Sequence, residues 1–557
     1  MDKRTLLALI IIGAIFLLWP VYMRKVAGVR EVKTERPSES RMRESEVAEE
    51  HVAPTPLRRP VDVAESREKT DSRIDAISRI PEEKPDSVWV ETNLFKGRLS
   101  SVGGGTVVKW MLKNYLGKDN NGVELIPDSA VGNLGVRLGS RHDLSQMVFQ
   151  TALDSHWVEN GKKFQIVRFI RDLPDGGRIE KEFRVQDDSY TVNMVVRFIS
   201  LNRQDVDQGY DVQWTSGLYP TEKRIRDDVP YHQAFALQGG ELLKTKDKST
   251  GLREGITQWV AVRTKYFLMA IIPQRPGVAA RLEGQKITIP YEDEKVRRDE
   301  WKTFDVQLAM RYEAMAEEGE HFSIYLGPMD YPQLRGFGVR LEKMMNFGMV
   351  IIRPFSIAFF YVLQFLFGIV HNYGWAIVIF SIMIKIVLYP LTRKSFQSMR
   401  KMQELQPKLT ALKEKYKKDP QKMNQETMKL YKQHGVNPMG GCLPLLFQMP
   451  VLFALFNLFR TTIMLRQASF LGGLIQDLSA PDAILGNINV LPILMGATMI
   501  LQQKLSTQNP QQKAMAYFMP IFFAFMFYRF SAGLNLYYLM FNVLTIAQEI
   551  MIRRSKQ

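Results

Sequence analysis

IVIFSIMIKIVLYPLT, residues 377–392, decides how this chain is organised. The run is apolar enough to enter a bilayer, yet Lys385 stands near its middle. An ammonium at the bilayer centre costs about 2.5–3.5 kcal/mol on insertion scales, so such a residue faces a wet interior or a partner, or its stem carries the charge to the interface. Lys385 lies six residues before Leu391, roughly 9 Å at the helical rise, so snorkelling is within partial reach.

Working outward, residues 349–391 form a nearly unbroken apolar stretch of 43, enough for two spans of about 20 residues each. Residues 393–434 follow with twelve Lys/Arg against four Asp/Glu, and basic loops of that kind stay cytoplasmic. Only one half of the apolar stretch therefore crosses. Pro354 with Ser356, Gln364 and His371 marks 353–371 as a helix along the outer interface. The crossing segment is then 372–391. Later apolar runs at 443–459, 488–501, 514–530 and 534–552, with an uncleaved signal-anchor at 1–23, bring the total to six spans and both termini to the cytoplasm. Arg460, Arg466 and Arg529 fall at outer ends, against the charge rule.

Net charge is +16, of which residues 331–557 carry +17. Residues 24–84, rich in Glu, Arg, Ser and Pro, cannot bury enough surface to offset ordering entropy and read as a flexible tether. From 85 to 330, short alternating runs such as Ser87–Glu91 and Thr191–Phe198 are punctuated by Asn160-Gly161, Asp175-Gly176 and Gly239-Gly240. That pattern predicts an all-β domain, a large sandwich. It holds no HExxH, GxSxG or GxxxxGK, and His142, His156, His232 and His321 have no ligand spacing. Gly103-Gly104-Gly105 is a bend or a ligand loop. Cys442, the one cysteine, excludes an intrachain disulfide. No catalysis, metal or cofactor is expected.

Within 393–434, Met399, Met402, Leu405, Leu409, Leu412 and Tyr416 recur at steps of three and four. Asp419 caps a second helix that opens on Pro420. The result is a coiled-coil hairpin of net charge +8. Its lysines Lys413, Lys415, Lys417, Lys418 and Lys422 form either a solvated face or a docking surface for an acidic or nucleic-acid partner such as a ribosome. Without interleaved aromatics it does not read base sequence.

The spans also carry Ser381, Gln448, Gln502, Gln503, Tyr538, Asn542 and Thr545, with Glu549 the one carboxylate. Each polar group alone suits an interhelical hydrogen bond. Together with an unpaired lysine they predict a water-filled cavity open to the cytoplasm, and the 14-residue run 488–501 suggests a locally thinned bilayer.

Tyr389-Pro390-Leu391-Thr392, Leu405-Gln406-Pro407-Lys408, Val436-Asn437-Pro438-Met439-Gly440-Gly441-Cys442, Gln448-Met449-Pro450, Leu465-Arg466-Gln467-Ala468, Leu491–Gly496 and Phe518-Met519-Pro520 together resemble the YidC/Oxa/Alb family of membrane protein insertases, in its Gram-negative form. The likeness is dense over 369–552 and looser elsewhere. It implies an α+β multidomain protein: a polytopic α-helical membrane bundle of six spans, five forming the core, plus a periplasmic all-β supersandwich. In those terms the chain divides into a signal-anchor (1–23), a tether (24–84), the β-domain (85–330), a connector with the interfacial helix (331–371) and an insertase core (372–557) that includes the hairpin 393–434. Residues 24–371 would be periplasmic and the core would sit in the inner membrane. A hydrophilic groove closed to the periplasm, a hairpin that recruits nascent membrane proteins, and work beside the ribosome, lipids and the Sec translocon are further implications. Lys385 stands where the family usually has arginine, so the charge is kept while the five-donor fork is lost. A transporter built on Lys385 is weakened by the scarcity of intramembrane carboxylates and of paired half-repeats. A periplasmic binding module with a mere anchor is the other alternative.

Overall fold

In the computed structural model, residues 84–126, 130, 132–138, 142–173, 176–201, 209–245, 250–289, 299–312, 318–417, 419–436, 443–486, 488–506 and 513–554 are described. The expected anchor (1–23), and all but the last residue of the tether (24–84), lie outside them. Among the described residues, 84–348 and 352–557 belong to one compact unit.

Alternation builds the N-terminal half. β1 (Ser87–Glu91) buries every second residue, and β2 (Phe95–Ser100), β3 (Thr106–Leu116) and β4 (Gly122–Glu124) complete a four-stranded antiparallel sheet in chain order. A fourteen-stranded sheet takes the rest: β5 (Gly135–Leu138), β6 (His142–Asp143), β7 (Gln150–Glu159), β8 (Lys162–Asp172), β9 (Arg178–Gln186), β10 (Thr191–Ile199), β11 (Tyr210–Trp214), β12 (Gln233–Gln238), β13 (Glu241–Thr245), β14 (Leu252–Arg263), β15 (Phe267–Pro273), β16 (Gly277–Ile289), β17 (Asp299–Met310) and β18 (Glu320–Pro328). Its path runs β6-β5-β11-β17-β16-β14-β15-β18-β10-β9-β8-β7. β15 lies between β14 and β18 and is buried on both faces, which explains its unbroken apolar sequence. Asn160 and Gly161 both have positive φ, 50° and 75°, as a two-residue β7–β8 turn requires.

Gly103, Gly104 and Gly105 all have positive φ, and a Cβ on Gly105 would overlap the rings of Phe183 and Phe169. The glycine triplet is therefore a bend with close packing, not a ligand loop. Beside it, the fully buried Lys181 of β9 donates to the carbonyls of Gly103 (3.0 Å) and Leu134 (2.7 Å), the latter adjoining β5. Strands far apart in the order thus meet, and the large sheet curls around a core shared with the small one.

Burial pushes the Lys181 ammonium from its ordinary 10.5 down to about 7, through the solvation its charge loses. Between those values the unfolded chain holds one more proton than the folded chain, so stability rises with pH across that window. Unfolding of the purified protein, followed by tryptophan fluorescence from pH 7 to 10, is expected to show this rise. Lys181→Met should flatten it, and a slope unchanged in that variant removes Lys181 as its source.

Helices make up the C-terminal half. Short α1 (Ile225–Asp228) and α2 (Tyr331–Gly336) belong to the β-domain and its connector, which is fastened to β14 by Trp259 Nε1 donating to Val339 O (2.9 Å) and by Arg263 donating to Met344 O. Then come α3 (Arg353–Val370), α4 (Tyr373–Glu404), α5 (Gln406–Lys415), α6 (Pro420–Gln433), α7 (Leu443–Thr461), α8 (Val490–Ser506), α9 (Lys513–Phe527) and α10 (Ala532–Arg554). His371, with φ +52°, ends α3, and Asn372 opens α4: its side chain accepts the N–H groups of Gly374 and Trp375. α10 packs on α4 and α8, α8 on α9, and α3 on α4 and α7.

Among the described residues, α3 and α4 are the two helices long and apolar enough to cross a membrane, with Tyr517–Phe527 a shorter apolar stretch. The boundary expected between a span ending at 391 and a hairpin starting at 393 falls inside one helix: α4 runs 32 residues without a break at Pro390. It stops at Leu405, where Pro407 lies in the first turn of α5 and has no N–H to continue the ladder. Likewise α8 continues to Ser506, so Gln502 and Gln503 sit within the helix and not beyond a 14-residue span.

Candidate functional site

α4 is patterned inside out. Ile377, Ser381, Lys385 and Thr392 are buried, whereas Trp375, Ile382, Ile386 and Val387 are exposed. A soluble helix would place the lysine outside, so the surroundings of α4's outer face are apolar.

The buried face meets α10. Lys385 is 6% exposed; its Nζ donates to Thr545 Oγ1 at 2.8 Å and lies 4.7 Å from the centroid of the Phe541 ring. Phe541 and Thr545 are one helical turn apart, and the Thr545 hydroxyl donates to the Phe541 carbonyl at 2.6 Å, leaving its lone pairs to the amine. An open, water-surrounded lysine is therefore not what the structure holds. A hydroxyl and a ring face take the place of water, because α10 presents both at the level of the amine. Further along, Thr392 and Gln548 are joined by hydrogen bonds of 3.0 and 3.3 Å. One turn before Thr545, Asn542 donates to Thr498 Oγ1 of α8 at 3.4 Å. Asn542, Thr545, Gln548 and Glu549, all buried, form a polar seam at helical spacing.

The remaining expected lining residues divide. Gln448 on α7 donates to the Tyr537 hydroxyl at 3.3 Å. Ser381 bonds back to the Ile377 carbonyl of its own helix at 2.7 Å. Gln502 is half-buried on α8. Tyr538 has a buried hydroxyl without a hydrogen-bond partner among the described residues, which is the arrangement of a group awaiting one. Thr498 and Gln548 were not singled out from sequence, and Thr392 stood there only within the Tyr389–Thr392 motif. The spacing of Asn542, Thr545 and Gln548 in an apolar run is the signal that points to that face.

α5 and α6 lie side by side, with Lys408 Nζ 3.0 Å from His434 Nε2 at one end and Lys415 and Lys422 over the Tyr416 ring at the other. Asp419 Oδ1 accepts the Lys422 N–H (3.0 Å), capping α6. Lys413, Lys415, Lys417 and Lys422 are exposed; Lys418 lies outside the described residues.

A second charged cluster joins the halves of the chain. Arg466, in the loop between α7 and α8, donates through Nε to Glu222 Oε1 (2.7 Å) and through Nη2 to Leu116 O (2.9 Å) and Thr221 O (3.4 Å). Its side chain is 2% exposed and that of Glu222 15%. Burial pushes the Glu222 carboxyl up, opposed by the Arg466 guanidinium. Asp228 lies behind it: burial disfavours its charge, but the His232 ring and the N–H groups of Lys265 and Thr221 outweigh that and hold it down to about 2. Arg460 lies over the Tyr231 ring. Two of the three arginines that break the charge rule are thus held by the β-domain.

That same loop serves the helix ends. Asp482 Oδ2 accepts the N–H groups of Val490 and Leu491 at the start of α8, and Ala480 O and Leu478 O accept those of Ala532 and Gly533 at the start of α10. Asn372, the cap of α4, donates to Ser469 O at 3.0 Å. No group of three or more potential metal ligands occurs among the described residues.

Residues 365–557 match the family described as 60Kd inner membrane protein, and residues 87–360 match the YidC periplasmic domain. The membrane protein insertase YidC of Chlorobium limicola is 37% identical, with 84% of this chain and 82% of that one aligned. The protein of the same name in Prosthecochloris aestuarii is 33% identical over 100% of this chain and 95% of its own. Among solved structures, an active YidC insertase crystal structure with its first transmembrane domain resolved is similar at TM-score 0.36 and 18% identity, covering 84% of this chain and 92% of that one.

Proposed function

Since the chain belongs to the YidC family of inner-membrane protein insertases, a non-enzymatic family with a periplasmic domain, we propose that it inserts nascent membrane proteins by exchanging contacts along the α4–α10 polar seam. The observation that carries this reading is Lys385: a cation within the bundle whose partners are a hydroxyl and a ring face. A neutral acceptor is a weaker partner for an ammonium than a carboxylate. An acidic, hydrophilic segment of a substrate therefore displaces Thr545, draws apart α4 and α10, and finds Asn542, Gln548 and the orphan Tyr538 hydroxyl as substitutes for water. Ser381, Gln448 and Gln502 extend that groove. The substrate's apolar segment leaves sideways into lipid, driven by about 25 cal/mol per Å² of its own surface buried there. No bond is made or broken in the process.

The topology that serves this is the six-span one. Residues 1–23 anchor, 24–84 tether, 85–330 form a periplasmic supersandwich, 331–371 carry the interfacial helix, and 372–557 form a five-span core with both termini of the chain cytoplasmic. The coiled-coil hairpin 393–434 receives ribosome-bound chains and leaves their further folding to the core, which acts as a chaperone alone or beside the Sec translocon. Photo-crosslinking from Ser381 and Tyr538 to a stalled nascent chain is the direct test. Crosslinks to its hydrophilic segment are expected, and their absence from both positions while β-domain probes react would defeat the reading. Reversing Lys413, Lys415, Lys417, Lys418 and Lys422 to Glu should lower co-sedimentation with ribosome–nascent-chain complexes about tenfold or more at low salt; unchanged binding removes the hairpin from recruitment.

A further inference from the structure

Resting on that span assignment, we infer that the turn 470–475 is a membrane-seating element: Leu471 and Leu474 dip into the outer-leaflet boundary beside the first turn of α4. Phe470 and Ile475 close the turn with paired backbone hydrogen bonds of 2.8 and 3.2 Å. Both are buried, at 4% and 1% exposed, while Leu471 and Leu474 between them are each 53% exposed. An apolar pair held outward on a buried base is the reverse of what water selects. The backbone is bent to hold it there: Leu471 has φ +53°, a region that costs a leucine energy, and Gly472 and Gly473 have φ +66° and +92°.

Lipid, and not water, is what the neighbouring surface faces. The turn is fastened to the start of α4, where the Phe470 ring fills the space that a Cβ on Gly374 would need and stands edge-on to Trp375 at 5.5 Å. Asn372 also binds Ser469 O at 3.0 Å. From Trp375 the apolar stripe of α4 runs on through the half-buried Ile379 to the exposed Ile382 and Ile386. Leu471 and Leu474 therefore prolong the lipid-facing stripe past the helix end, next to a tryptophan, the residue that collects at membrane interfaces. Depth follows from the backbone: a turn cannot satisfy all its N–H and C=O groups internally, so it sits at the headgroup boundary and not among acyl-chain centres. Seated there, the turn fixes the height of α4, and hence of Lys385, relative to the bilayer.

The test uses the full-length protein with Cys442→Ser and single cysteines at Leu471, Leu474, Ile386 or Val158, each labelled with an environment-sensitive fluorophore in phosphatidylcholine/phosphatidylglycerol vesicles. Labels at Leu471 and Leu474 should show blue-shifted emission and be quenched by lipid brominated near the headgroup, while the label at Ile386 should be quenched by lipid brominated deep in the acyl chain. The label at Val158, exposed on β7, should respond to aqueous iodide alone. If Leu471 and Leu474 behave like Val158 while Ile386 is quenched by lipid, the turn is not seated and the inference fails alone. If Ile386 also escapes lipid quenching, the span assignment falls and takes this inference with it. Emission unchanged between vesicles and detergent-free aqueous peptide standards at Leu471 and Leu474 would likewise count against it.

Discussion

Replacing Arg466 with alanine is expected to open the joint between the β-domain and the α7–α8 loop, at a cost of about 3–5 kcal/mol, the usual penalty for stranding one charge of a buried pair. Glu222 would keep its burial and lose the Nε contact at 2.7 Å, and the carbonyls of Leu116 and Thr221 would lose the Nη2 donor. The loop itself supplies acceptors to the first N–H groups of α10 and α8, so the loosening should spread to those helix ends. Hydrogen exchange of the purified protein reads this directly: amides of 463–482 and of the first turns of α8 and α10 should lose protection. Arg466→Met combined with Glu222→Met should recover much of it, because an apolar pair of similar size leaves no stranded charge. Wild-type protection in Arg466→Ala would mean that the contact carries no energy.

Lys385→Glu is the second large effect. At about 4 Å an ion pair in a partly screened site is worth about 4 kcal/mol, so reversing the sign turns attraction for an acidic segment into repulsion of similar size. The new carboxylate would also face the negative π surface of Phe541, which a cation favours and an anion does not. In cells depleted of their own copy, Lys385→Glu should abolish insertion of substrates with short acidic tails, with neutral-tailed substrates less affected. Lys385→Arg should support them, since it keeps the charge. Growth and insertion that are equal in the Glu and Arg variants would remove the charge from the mechanism.

Much of the architecture is written in short-range pattern. Alternation marked β1 and β10 within a residue or so of where they form, and Asn160-Gly161 marked the turn between β7 and β8. Asp419 and Pro420 marked the start of α6. These signals are local because a strand's two faces, a turn's φ angles and a cap's hydrogen bond each involve residues a few positions apart. Where local signals conflicted, the boundaries moved. The basic run after Leu391 suggested a break, but a helix needs only its own hydrogen bonds to continue through charge, and α4 runs on to Glu404.

What the sequence by itself determined is the division into a β-rich half and an apolar helical half, and the oddity of a lysine in the latter. Only the tertiary structure decided who answers that lysine and why an arginine sits in the loop after α7. Lys385 meets Thr545 across 160 positions and Arg466 meets Glu222 across 244. Hydrophobic period tells a helix which face to bury, but it is blind to the identity of the side chain on the opposing element. That identity follows from packing register between segments far apart in the chain, which no window of sequence contains.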